Sequence, residues 1–274
     1  MRTIVAVALV AVASPAWAQV EADVGTQVDS GAWRLDESDR VFLISRQAAT
    51  MAPMSFRVGT LDQLQAVQSL GTGYDAEIFG DFAPTSWLQL GLTVDYGTLG
   101  DLATQGLVAP AFYAQAQILR QETAGVNLAA AVNFKKIGFS GPTTTQPNDG
   151  EVEAQILADR RFGRFGVTAN GVFGKSISAP DSDAELRLAA GYYLRENLLV
   201  GVDGIGRYDT SFDGGPQDGT RYWELTGGPM ATWKVDRFTV SGLVGVAAPM
   251  HAPIGPTAGN SVGATGMLQL GYAP

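Results

Sequence analysis

The sequence predicts an all-β fold, namely an antiparallel up-and-down transmembrane β-barrel of about twelve strands. Three observations predict it. From residue 74 to residue 273 the chain alternates apolar and polar residues at period two, which is typical of strands that bury one face. The connections between these strands alternate between short and long, as in a series of hairpins. After residue 18 no stretch approaches the roughly eighteen apolar residues that a transmembrane helix needs.

The N-terminus is typical of a secretory signal peptide. Arg2 supplies a positive charge, residues 4–13 are all apolar, and residues 16–18 have the small-x-small pattern of a cleavage site. The apolar run is too short to span a membrane. We therefore expect cleavage before Gln19 and an exported protein in the outer membrane of a Gram-negative cell.

The rest of the chain is predicted to have two parts. Residues 19–53 begin as a polar, acidic stretch with little periodicity and are interpreted as a periplasmic N-terminal segment, although residues 41–44 are apolar. Whether residues 19–50 fold into the lumen is left open. Residues 54–274 form the predicted barrel.

The strands are assigned from the alternation in chain order. The first, residues 54–60, has Met54, Phe56 and Val58 on one face and is the weakest match to the pattern. Eleven clearer strands follow, at residues 74–83, 87–96, 107–121, 126–137, 151–161, 165–175, 184–195, 198–209, 221–233, 237–247 and 260–273. An even number of strands places both termini on the periplasmic side.

The predicted connections follow the same logic. Short turns are expected near residues 84–86, 122–125, 162–164, 195–197 and 234–236. Longer links are expected at residues 61–73, 97–106, 138–150, 176–183, 210–220 and 248–259. Short turns belong on the periplasmic side and long loops outside. Pro110 and Pro229 fall within predicted strands, so each is expected near a rim or a bulge.

Two environments could accept the apolar face of these strands. In a soluble periplasmic β-sandwich or a lipocalin-like barrel it would point inward. Lipid is favoured because the apolar face carries almost no ionisable residue in mid-strand, and the exceptions, Arg120 and Lys136, lie at strand ends. Aromatic residues also gather near strand ends, as in the interfacial girdles of membrane barrels. We therefore expect Leu90, Val132 and Leu188 on the outer wall.

With these features the chain resembles a bacterial outer-membrane β-barrel of porin-like or transporter-like architecture. The resemblance covers the signal peptide and most of residues 54–274, and no motif points to a specific family. Such barrels usually end on an aromatic residue, whereas here Tyr272 is followed by Ala273 and Pro274. The resemblance implies contact with outer-membrane lipid, lipopolysaccharide and the barrel assembly machinery.

Composition argues against several other functions. The net charge of −9 disfavours nucleic acid as a partner. Absence of cysteine excludes disulfides and thiolate metal sites, and the single histidine, His251, lies in the predicted outer loop at residues 248–258 without a serine or acidic neighbour. The carboxylates at residues 181–183 and 213–219 are interpreted as turn formers, and whether one of these loops binds a divalent cation is left open. We therefore predict no enzyme activity, no cofactor and no metal site.

The polar face of the strands is predicted to line the lumen. Its charged members are Asp75, Glu77, Asp81, Asp95, Lys135, Glu151, Glu153, Asp159, Arg161, Glu185, Arg187, Asp203, Arg207 and Glu224. One hypothesis is a passive channel in which this acidic lumen admits cations or small polar solutes. The alternative is a non-conducting barrel, closed by salt bridges, that serves a structural or surface-interaction role. The pattern specifies neither the solute nor the oligomeric state.

Overall fold

The computed structural model describes residue 35 and residues 39–67, 71–97, 107–137, 149–177, 182–212, 219–251 and 262–274. Within them, no helix is long and apolar enough to cross a membrane.

The described residues form twelve strands and one short helix. The strands are β1 (Ser55–Val67), β2 (Gly71–Ala83), β3 (Leu88–Gly97), β4 (Leu107–Leu119), β5 (Asn127–Ile137), β6 (Asp149–Phe162), β7 (Phe165–Ser176), β8 (Ser182–Arg195), β9 (Leu198–Phe212), β10 (Gly219–Val235), β11 (Phe238–His251) and β12 (Gly263–Tyr272). The helix α1 (Gln121–Ala124) lies between β4 and β5. The prediction of about twelve strands is confirmed.

Every strand pairs antiparallel with its neighbours in the chain, and β1 pairs with β12 to close the barrel. The closing register runs from Val58 opposite Tyr272 to Val67 opposite Gly263. Closure satisfies the backbone groups of both terminal strands, so no sheet edge remains.

The two faces of the wall differ as expected. Leu90, Val132 and Leu188 are 42%, 55% and 52% exposed on the outer wall. The alternate residues point inward, where Asp203 is only 2% exposed. A wall with apolar side chains outside and charges inside is suited to lipid and excludes the soluble alternative.

The connections confirm the predicted short turns and correct one predicted link. Between β6 and β7 only residues 163–164 intervene, and between β10 and β11 only residues 236–237. Gly163 and Asp236 have φ angles of 57° and 55°, which tight turns of this kind require. The predicted first strand was too short: β1 continues to Val67, and the link to β2 is residues 68–70 rather than 61–73.

Two further predictions of position need correction. His251 is the last residue of β11, opposite Tyr222, and not a loop residue. Pro229 lies in mid-strand opposite Val202, away from either rim, and the pairs of β10 with β11 stop at Gly227 and resume at Met230. The interruption removes the ladder bond that proline cannot donate.

Residues 39–53, called the plug from here on, lie inside the barrel. Val41, Phe42 and Leu43 are buried against Tyr193 and other inward-facing side chains at one end of the lumen, the end where the short turns lie. The chain leaves the plug through a turn in which the Met54 N–H donates to the Ala83 carbonyl at 2.6 Å. β1 begins directly after this turn.

Candidate functional site: the lumen and its plug

The plug has no strand partner, so side chains of the wall accept its backbone hydrogen bonds. Asp203 accepts from the Ile44 N–H at 2.7 Å and from the Ser45 hydroxyl at 2.7 Å. Asn170 accepts from the Arg46 N–H at 2.6 Å and donates back to the Arg46 carbonyl at 2.7 Å. Asp159 accepts from the Ala48 N–H. Buried backbone N–H groups require such partners, so these wall residues fix the path of the plug.

Apolar packing and ion pairs hold the plug as well. Leu43 belongs to a buried cluster with Leu199 and Leu243, and the small Ala48 packs among inward residues of β5 and β6. The Arg40 guanidinium contacts Glu77 at 3.0 Å, and Lys234 contacts Asp39 at 2.8 Å.

Arg40 stays charged in this setting. Burial alone would lower the pKa of Arg40, but the nearby carboxylates, Glu77 above all, raise it above the ordinary value for arginine.

A second wall network lies beside the plug at the short-turn end. The Arg57 guanidinium forms an ion pair with Asp81, and the Tyr113 hydroxyl donates to the same carboxylate. The Gln89 amide donates to the Tyr113 hydroxyl at 2.8 Å, and its oxygen accepts from the backbone of the plug. The ring of Tyr113 lies over Gly91, where a β-carbon would overlap it.

On the other side of the plug, toward the long links, the lumen contains a cavity of about 490 Å³. Nine of the predicted lumen residues line it: Asp75, Glu77, Asp95, Lys135, Glu153, Glu185, Arg187, Arg207 and Glu224. Neutral polar groups such as Gln63 and Asn133, and apolar ones such as Leu61 and Met267, complete its surface.

Several charges of this cavity are paired. Lys135 contacts Asp95 at 3.1 Å, and Arg187 contacts Glu185. Arg207 contacts Asp183 at 3.2 Å. The Arg187–Glu185 pair lies within β8, whereas the other two pairs join different strands, and all three fix charged groups in position on the wall.

The other five predicted residues lie elsewhere on the inner wall. Asp159 and Asp203 bind the plug, and Asp81 binds Arg57 and Tyr113. The Arg161 guanidinium lies 3.9 Å from the centre of the Tyr193 ring at the short-turn end.

Glu151 lies beside Asp183 across Gly174. A β-carbon at Gly174 would collide with the carboxylates of both residues, so glycine permits them to approach.

Sequence reasoning missed the residues that the plug contributes to the site, chiefly Arg40 and Arg46. It also missed Arg57, a wall residue that lies near them and is paired with Asp81. One signal was present. Residues 41–44 form an apolar run ahead of the first strand, and such a run needs a surface on which to be buried.

The described residues contain no group of three or more His, Cys, Asp or Glu side chains arranged to hold a metal ion. Within the described residues, the lumen presents fixed charges and hydrogen-bonding groups around the cavity of about 490 Å³.

The closed wall, its apolar outside and its charged inside define an outer-membrane β-barrel protein. The COG4313 outer membrane channel from Pseudomonas putida F1 aligns with a TM-score of 0.59 at 12% sequence identity, over 83% of this chain and 98% of that chain. The KdgM porin aligns with a TM-score of 0.47 at 9% identity, over 79% of this chain and 98% of that chain. The translocator domain of autotransporter NalP from Neisseria meningitidis has a TM-score of 0.47 at 12% identity, over 80% and 88%.

At these identities the likeness concerns the fold, and it supports an outer-membrane location. No protein-family model matches the chain, and no curated protein matches it.

Proposed function

We propose that the protein is an outer-membrane channel for small polar solutes, with the plug closing its short-turn end. The observation that carries the proposal is the charged cavity of about 490 Å³ inside a closed barrel. A barrel whose only task was structural could fill this space with packed side chains. The structurally similar channel of Pseudomonas putida F1 is consistent with this function.

The proposal includes the orientation and surroundings of the barrel. After removal of the signal peptide before Gln19, the short turns face the periplasm and the long links face outward, which makes the cavity the outer entrance. The outer wall contacts lipid and lipopolysaccharide after insertion by the barrel assembly machinery.

The charge of the entrance favours cations only weakly. Among the described residues, six carboxylates line the cavity: Asp75, Glu77, Asp95, Glu153, Glu185 and Glu224. Five basic groups line it too: Arg40, Arg46, Lys135, Arg187 and Arg207. An excess of one negative charge at this end produces a modest field, so we expect the entrance to attract cations without strict exclusion of anions.

Planar-bilayer conductance of the folded protein tests the channel function. We expect a small conductance for the wild type and a larger one for variants in which the plug is held less firmly, such as Asp203→Asn. Folding of each variant is checked by its heat-dependent mobility in gels and by its circular dichroism. Absence of current from both folded proteins at any voltage would exclude a channel.

A second function is favoured by a different observation. N–H groups of the plug donate hydrogen bonds to side chains on several strands, among them Asp203, Asn170 and Asp159. A barrel that is permanently closed would act as a structural or surface-interaction module. The absence of current described above, together with full protection of the plug amides from hydrogen exchange, would support this alternative.

A further inference from the structure

Two cavities lie on opposite sides of the plug and share three lining residues. The large cavity lies toward the long links, and a small one of about 20 Å³ lies toward the short turns, bounded by Arg57 and Gln89. Both are lined by Arg40, Arg46 and Tyr113. These three side chains therefore lie at the boundary between the two cavities. The small cavity has about the volume of one water molecule, so the space beside these side chains, called the passage from here on, is too narrow for an organic solute while the plug is seated.

The charges around this passage do not cancel. Arg40 is paired with Glu77, and Arg57 is paired with Asp81. The Arg46 guanidinium lies 3.8 Å from the centre of the Tyr113 ring, and within the described part of the chain it forms no ion pair or hydrogen bond. The small cavity is also lined by Asp39, which is paired with Lys234. Each of these three carboxylates is thus paired with its own cation, and the excess positive charge belongs to Arg46.

Contacts of both its backbone and its side chain fix the position of Arg46. Its backbone N–H and carbonyl both form hydrogen bonds with Asn170, and its side chain is half-buried on the Tyr113 ring and lines both cavities. A guanidinium keeps its charge at every physiological pH and presents paired N–H donors that match a carboxylate.

We infer that the Arg46 guanidinium binds the carboxylate group of a small solute at the inner end of the large cavity, beside the passage. This inference rests on the proposed channel function and deepens it. The weakly acidic entrance and the positively charged passage act in opposite directions, and the narrower of the two dominates the ion selectivity because ions lose most hydration there.

Reversal potentials in a KCl gradient test the inference. One charge at about 5 Å in water changes the energy of each ion by a Boltzmann factor of about four, in opposite directions for chloride and potassium. We therefore expect Arg46→Gln to lower the permeability of chloride relative to potassium by roughly tenfold or more. Arg46→Lys keeps the charge and should retain most of the wild-type ratio. The matched control is Arg161→Gln, which removes another inward arginine stacked on a tyrosine, away from the passage. If the ratio of chloride to potassium permeability in Arg46→Gln equals that of the wild type, the inference is overturned.

A second measurement does not depend on conduction. Saturation-transfer NMR of acetate with the detergent-folded protein should detect binding to the wild type and to Arg161→Gln, and a loss of signal with Arg46→Gln. Equal signals from all three proteins would refute the anion site even if the channel conducts. If acetate binding depends on Arg46 but no protein carries current, the site stands and the channel function is excluded instead.

Discussion

Asp203 in the middle of β9 accepts hydrogen bonds from the N–H of Ser45 as well as from its hydroxyl group. A single wall carboxylate thus accepts hydrogen bonds from both donors of Ser45 and from the N–H of Ile44. Hydrogen bonds to a charged acceptor in a buried setting are stronger than those between neutral groups. This contact is therefore a principal anchor of the plug.

Replacement of this anchor should loosen the plug without unfolding the barrel. For Asp203→Asn we expect the opening free energy of the plug to fall by about 1–3 kcal/mol. The amide has one accepting oxygen instead of two, and its NH₂ group carries two donors where the plug also presents donors. Hydrogen exchange at the Ile44 and Ser45 amides measures this change, and single-channel conductance should rise. Glu224→Gln is the control, since Glu224 accepts from Thr226 at 2.9 Å instead of from the plug. Exchange rates at Ile44 that match those of the wild type would contradict the anchoring role.

The contact of the Tyr113 ring with Gly91 predicts a large effect from a small substitution. A β-carbon in Gly91→Ala would overlap the ring, so Tyr113 must move and its hydrogen bonds with Asp81 and Gln89 must be lost or distorted. We expect a loss of about 1–3 kcal/mol in barrel stability, measured by urea unfolding in lipid vesicles. Gly171→Ala is matched to it, because a β-carbon at that strand position meets nothing within 4 Å. Equal stability of the two variants would show that the ring is free to move aside.

The orientation of the wall predicts opposite outcomes for adjacent residues. Val132 faces outward, whereas Asn133 lines the cavity and donates to Glu153 at 3.0 Å. Val132→Lys should destabilise the barrel in lipid by about 2–4 kcal/mol, because a charge near mid-membrane on the lipid face is poorly solvated. Asn133→Lys should be tolerated, since its ammonium group can pair with Glu153. Unfolding titrations of both variants in the same vesicles compare their free energies of unfolding. If Asn133→Lys were the less stable variant, the assignment of the inner and outer faces would be wrong.

The strands could be predicted because their environment is regular. Lipid outside and polar lumen inside impose period two wherever both conditions hold, as in β5, where Val132 and Asn133 alternate. β1 was predicted too short because both conditions fail at Leu61 and Asp62. There Leu61 points inward and packs near the plug, while Asp62 points outward and accepts a hydrogen bond from Tyr74. The local pattern is thereby inverted.

The plug could not be predicted from the same rules. Its hydrogen bonds join residues far apart in the chain, such as Ser45 and Asp203, and use wall side chains as acceptors for its backbone N–H groups. No local periodicity marks such a segment. The polar face of the strands was predicted as lumen lining, but the alternation alone does not separate Asp75, which lines the cavity, from Asp159, which binds the plug.

The direct connection of the plug to β1 through the turn at Met54 has a kinetic consequence. A plug that leaves its seat stays tethered by a single turn to the wall that it just left. Its effective concentration near that seat is roughly millimolar or higher, as for short linkers in general. Reclosure is then a unimolecular event that requires no other molecule, and open periods should be brief, of a duration independent of how much protein the membrane contains.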